Sequence, residues 1–84
     1  MSRYAVYLHL ELLEVVPKRG SQHQKILRFV QSLADNPFTK GDFADKDDSL
    51  RQREIKIIGD YAIVYQVDHP AKIVMVVDIS LADQ

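Results

Sequence analysis

An α+β fold, with a small antiparallel sheet and one or two helices packed on one of its faces, follows from three features of this 84-residue chain. Arg53 to Ile79 holds three runs rich in Ile, Val and Tyr, separated by Gly59-Asp60 and by Asp68 to Ala71, which is the pattern of an antiparallel meander. Arg3 to Leu12 alternates apolar and polar residues as a half-buried strand does. Between them Ile26, Phe29, Val30 and Leu33 recur at helical spacing. The length predicts one domain over residues 1–84, too small for a separate catalytic module.

In chain order, Tyr4, Val6, Leu8, Leu10 and Leu12 share one side of the first strand, and Ala5, Tyr7, His9 and Glu11 the other. The alternation blurs over Leu12 to Val16, which reads equally as the strand's end or as a short helix, and Pro17 stops either. Lys18-Arg19-Gly20 is a turn. Ser21-Gln22-His23-Gln24 fits a capping box, so a helix is expected from Ser21 until Asn36-Pro37 ends it. Phe38 to Leu50 reads as a surface loop, with Asp42, Asp45, Asp47 and Asp48 facing Lys40 and Lys46, and with Phe38 and Phe43 tucked beneath as anchors. Its carboxylates lack the alternation around a central glycine that a calcium loop requires, and no metal or cofactor is expected.

Within the meander the two-residue Gly59-Asp60 loop sets Ile58 opposite Tyr61. Counting outward puts Ile55, Ile57, Ala62, Val64, Ile73, Met75, Val77 and Ile79 on one face, nearly all apolar. That face is expected to lie under the helix. Glu54, Lys56, Ile58, Tyr61, Ile63, Tyr65, Val74, Val76 and Asp78 share the other, which mixes aliphatic bodies, phenols and charges and is expected to meet a partner.

Eleven Lys plus Arg against twelve Asp plus Glu leave a net charge of -1, so any nucleic-acid contact has to be local. The absence of cysteine removes disulfides and thiolate chemistry and fits a reducing compartment. Neither a basic-then-apolar leader nor an apolar run of roughly 20 residues is present, so a soluble cytoplasmic protein with no membrane contact is expected.

Tyr61-Ala62-Ile63-Val64-Tyr65-Gln66-Val67, preceded by Glu54-Ile55-Lys56-Ile57 and followed by Asp78-Ile79-Ser80, resembles the C-terminal half of the RelE/ParE toxin superfamily of bacterial type II toxin-antitoxin systems. The helix ending Ser32-Leu33-Ala34-Asp35-Asn36-Pro37 resembles that family's second helix and its exit. Together these cover roughly two thirds of the chain, and their order carries the resemblance more than any one phrase. It implies a toxin neutralised by a cognate antitoxin, acting in the RelE line as a ribosome-dependent mRNA endoribonuclease that inhibits translation. The alternative it implies is a non-enzymatic, ParE-like inhibitor of DNA gyrase, or a degenerate homologue that only binds antitoxin.

Position by position, Lys56 stands where a family lysine stands, Glu54 occupies the neighbouring lysine position, and Ala62 the arginine position. Ala82, Asp83 and Gln84 fall where terminal basic or tyrosine residues belong. For attack by a ribose 2'-hydroxyl on phosphate, Glu54 is the candidate base, Tyr65 or Tyr61 the proton donor, and Arg51, Arg53 and Lys56 the cations around the phosphorane. The competing reading makes these charges solvated strand residues and the tyrosines packing groups. For antitoxin or RNA binding the candidates are Arg51, Lys56, Ile58, Tyr61, Ile63, Val74 and Val76, with Arg53 as an added ion-pair partner. A homodimer through the same face is a third option. His9, His23 and His69 have no ligand-like spacing and read as surface histidines, His69 as a turn residue before Pro70.

Overall fold

The computed structural model describes residues 3–82. Its strands are β1 (Ala5–Leu8), β2 (Phe43–Lys46), β3 (Gln52–Ile58), β4 (Tyr61–Asp68) and β5 (Ile73–Leu81), and its helix is α1 (Ser21–Ser32). They form one five-stranded sheet in the order β1-β5-β4-β3-β2. The α+β class stands, but the sheet is mixed. The meander β3-β4-β5 is antiparallel, with Ile58 opposite Tyr61, whereas β1 runs parallel to β5.

The first strand ends at Leu8, four residues before its alternation does. The His9 ring Nδ1 accepts the Glu11 N–H at 3.3 Å, and the chain winds into a 3-10 helix, Leu10–Val15, that brings Val16 into the core. That resolves Leu12 to Val15 as helix. The segment read as a loop contains β2, because its aspartates are used up locally. Asp47 Oδ1 accepts the N–H groups of Ser49 and Arg51 at 2.9 Å each, closing the β2-β3 turn, and Asp45 pairs with Arg53 across the ladder. Phe38 and Phe43 are not anchors beneath it: they are 72% and 61% exposed. At the far end Leu81 still belongs to β5, and the Ala82 N–H donates to Asp60 O at 2.8 Å, so the chain is pinned there.

α1 starts at Ser21 without a side-chain cap. Gly20, at φ 102, makes the sharp entry, and its carbonyl accepts the first helical bond from Gln24 N–H at 3.2 Å. The amide that does reach out is Gln22. Its Oε1 accepts the Asp60 N–H at 3.1 Å and its Nε2 donates to Asp60 Oδ2 at 3.3 Å, tying the helix start to the β3-β4 turn.

The helical stripe forms as expected, with Ile26, Val30 and Leu33 buried and Phe29 packed against them. It covers the face opposite to the one expected. Ile63, Tyr65, Val74 and Val76 lie under α1, with Ile58, Tyr61 and Val67 packed around them, so the tyrosine-bearing face is the core. Three physical reasons account for the inversion. First, α1 lies on the connection from β1, at one edge of the sheet, to β2, at the other, so it spans the sheet and can cover only one of its faces. Second, the Tyr65 hydroxyl donates to Thr39 O at 2.8 Å, so the phenol is buried with its polar end satisfied.

Third, a bulge between Val64 and Tyr65 changes the side-chain phase of β5. On one side of it Val76 faces Tyr65; on the other Asp78 faces Val64 and Ile79 faces Ile63. Ile79 therefore joins Val74 and Val76 in the core, and Asp78 turns out to solvent. The remaining charges on that side, Glu54 and Lys56, sit half-buried on β3, next to the β2 edge. Each fully buried aliphatic side chain contributes about 1.5 to 3 kcal/mol relative to exposure, which makes this interlock of helix and sheet the main source of stability.

Candidate functional site

The four candidate catalytic groups do not all lie on one side of the sheet. Side chains alternate along β3, so Arg53 points to the open face while Glu54 and Lys56 share the helix side with Tyr65. Arg53 is committed to its own hairpin: Nε and Nη2 donate to Asp45 Oδ1 and Oδ2 at 2.8 and 2.7 Å, a two-pronged pair. That bond holds the Asp45 carboxyl below the usual carboxylate range and raises the Arg53 pKa further. Glu54 is equally engaged, accepting the Gly41 N–H at 2.9 Å on Oε1 and the Gln52 amide at 2.6 Å on Oε2. Lys56 Nζ lies 3.7 Å from Asp42 Oδ1.

Tyr65 is unsuited to proton donation. Burial first, and then the negative charges of Glu54 and Asp42, push its phenol up to about 12, and its ring stands edge-on to Phe29 at 5.6 Å. Arg51 Nε is 3.4 Å from Asp47 Oδ2, the carboxylate that also accepts the Gln66 amide at 2.7 Å. Those bonds, from Gln66 first and then from the Arg51 and Ser49 amides, lower the Asp47 pKa. Ala62, where the family places an arginine, supplies no charge, and Asp83 and Gln84 lie outside the described residues.

The expected docking face is likewise corrected. Ile63 and Val74 are 0% exposed and Val76 is 2% exposed, while Ile58 and Tyr61 pack against them, so none of these forms an open surface. The surface available to a partner is the opposite one. There the register sets Tyr7 beside Met75, and Phe43 beside Ile55 and Val64, across the full width of the sheet. Tyr7 is 54% and Met75 48% exposed, and Ile55, Ile57 and Ile73 are half-buried beside them. Exposed aliphatic and aromatic groups on one sheet face make it a candidate interaction surface.

A second feature lies where α1 leaves the sheet. A cleft of about 330 Å³ is bounded by Phe38, Thr39 and Lys40 on one strand of chain and by Gln52, Glu54, Tyr65 and His69 on others. Tyr4 Oη lies 2.9 Å from His69 Nδ1, and the Phe38 ring stacks on the His69 ring with centroids 4.6 Å apart and planes 14° apart. A groove of about 530 Å³ continues from it past Arg51 and Gln66 towards Met75 on the open face. Sequence reasoning missed this grouping. Tyr4 and His69 are 65 residues apart, and only the parallel pairing of β1 with β5 brings them together.

Among the described residues no three of His, Cys, Asp and Glu gather to hold a metal ion, and no helix is long and apolar enough to cross a membrane. The family described as "ParE toxin of type II toxin-antitoxin system, parDE" matches residues 4–84. Among solved structures, a chain of the archaeal RelE-RelB complex from Pyrococcus horikoshii OT3 superposes with a TM-score of 0.74, covering 94% of each chain at 19% identity. At that identity the likeness speaks for the fold. No curated protein sequence matches the chain.

Proposed function

Since the chain belongs to the ParE toxin family of type II toxin-antitoxin systems, we propose that it is a toxin that acts by docking on its target rather than by cutting RNA, and that a cognate antitoxin restrains it. One observation carries the choice: each of the four catalytic candidates already has a partner within the chain. Arg53 is paired to Asp45, Lys56 to Asp42, Glu54 to Gly41 and Gln52, and the Tyr65 hydroxyl to Thr39. Losing a single such electrostatic group commonly costs about 3 to 4 kcal/mol of transition-state stabilisation, and here no free set remains in one place. Inhibition by docking needs none of them.

The target of this reading is DNA gyrase, as in the ParE branch, which places the protein in the cytoplasm. The antitoxin of this reading contributes a segment with an apolar side, laid over Tyr7, Met75 and Phe43 and ordered on binding. The RelE-RelB complex of similar fold supports a toxin held by a second protein.

Purified protein in a gyrase supercoiling assay, run beside a translation reaction in which message integrity is followed, tests the choice. Inhibited supercoiling with intact message is expected; cut message with normal supercoiling overturns the docking reading. Co-expression with the product of the neighbouring reading frame should restore growth, and Phe43→Asp with Met75→Lys should weaken that complex at least about tenfold while leaving the fold intact.

A further inference from the structure

The cleft beside Phe38 has a use that the toxin reading does not assign. Three rings form a cluster there. Tyr4 stands edge-on to His69 at 5.7 Å and at 73°, and Phe38 lies nearly flat on the imidazole. Tyr4 also approaches Phe38 at 6.5 Å, so the outermost ring is fixed from two directions, although Phe38 is 72% exposed. An immobilised aromatic with an open face accepts another flat ring at little further cost in order.

The polar groups of the cleft narrow the choice of ring. Each Glu54 oxygen accepts one internal donor, from Gly41 or from Gln52. A carboxylate has about four acceptor positions, so two remain for a donor from outside. Lys40 lines the same cleft and takes part in no ion pair among the described residues. A flat ring, an N–H donor beside it and an anion within a side chain's reach are together the chemistry of a nucleotide.

We infer that this cleft binds a nucleotide whose base carries an exocyclic amine: the base extends the stack over Phe38, the amine donates to Glu54, and the phosphate meets Lys40. Uracil and thymine, which present a carbonyl at the corresponding position, leave Glu54 facing an acceptor and are disfavoured. The ligand is either a free nucleotide or an unpaired base in a single strand, which the groove past Arg51 and Gln66 has room to lead away. The site involves no cleavage and goes beyond the docking function without depending on it.

Aromatic proton NMR of the whole chain, titrated with AMP, UMP, short oligoadenylate and short oligouridylate, tests the site. Saturable upfield shifts of the Phe38 and His69 ring signals are expected with the adenine ligands, more weakly with the uracil ones. Saturation by AMP alone identifies a free nucleotide; saturation by oligoadenylate only identifies a strand. Phe38→Ala should weaken adenine binding about 5-fold or more and Phe38→Trp should retain it. Glu54→Gln, whose amide oxygen can still accept the Gly41 N–H, should narrow the preference for adenine over uracil.

An unchanged melting temperature in each variant keeps the comparison free of folding effects. No saturable shift with any of these ligands, shifts confined to rings outside the cleft, or wild-type affinity in Phe38→Ala overturns the site. Equal affinity for AMP and UMP overturns the role of Glu54. None of these outcomes bears on gyrase or antitoxin binding, so the two proposals fail separately.

Discussion

Tyr65→Phe removes one oxygen from the centre of the molecule, and its consequences can be worked out at two pH values. At pH 7 the hydroxyl donates to Thr39 O at 2.8 Å, fastening the chain that follows α1 to the middle of the sheet. Loss of such a bond costs about 1 kcal/mol. The ring itself, 0% exposed and edge-on to Phe29, is retained, so no cavity forms. At alkaline pH the wild type carries a penalty that the variant lacks. The unfolded phenol ionises near its ordinary pKa of about 10, whereas the folded one is pushed up to about 12.

Between these values the folded state holds a proton that the unfolded state has released, so stability falls as pH rises. By pH 11 the wild type has lost about 1.4 kcal/mol through this group. The advantage of wild type over Tyr65→Phe should therefore shrink from about 1 kcal/mol at pH 7 to zero or slightly below at pH 11. Urea unfolding followed by far-UV circular dichroism at both pH values measures it. The difference between the two proteins cancels the titration of the lysines and of the other tyrosines. A gap that stays the same at pH 7 and pH 11 would refute the sealed environment of Tyr65, and with it the placement of this face beneath the helix.

Two further substitutions test the same architecture. Ile63→Ala, at a position 0% exposed under α1, should cost about 2 to 5 kcal/mol in denaturant unfolding, while Met75→Ala on the open face, 48% exposed, should cost at most about 1 kcal/mol. Comparable losses at the two positions would contradict the assignment of faces. Gly59→Ala places a Cβ 2.6 Å from Gln22 Oε1 at a residue whose φ is 59°, so it should destabilise by about 1 kcal/mol or more and loosen the tie between helix and turn. Faster amide exchange at Asp60 would report that loosening.

Several elements were legible because their causes are local. The helix from Ser21 and its stripe of Ile26, Phe29, Val30 and Leu33 follow from the spacing of apolar residues. The pairing of Ile58 with Tyr61 follows from a two-residue loop. Membership in the toxin family was legible as well, in the order of short phrases along the meander, and the match over residues 4–84 bears it out. The strand hidden in Phe43–Lys46 was not, since its aspartates discourage a strand until Arg53 and the turn amides engage them.

What the chain determined by itself is the division of its strands into two alternating sets of side chains, because alternation is a property of the extended backbone. Which set became the interior was decided only in three dimensions. β1 and β2 are the two edges of the sheet, so the connection through α1 has to span it, and it lies over Ile63 and Tyr65 rather than over the more apolar side. The bulge at Val64 and Tyr65 then carries Ile79 inward and Asp78 outward, against simple counting. The parallel pairing of β1 with β5 places Tyr4 beside His69 and leaves Tyr7 and Met75 uncovered. Both candidate binding regions are thus products of how the strands were joined, which no stretch of sequence contains.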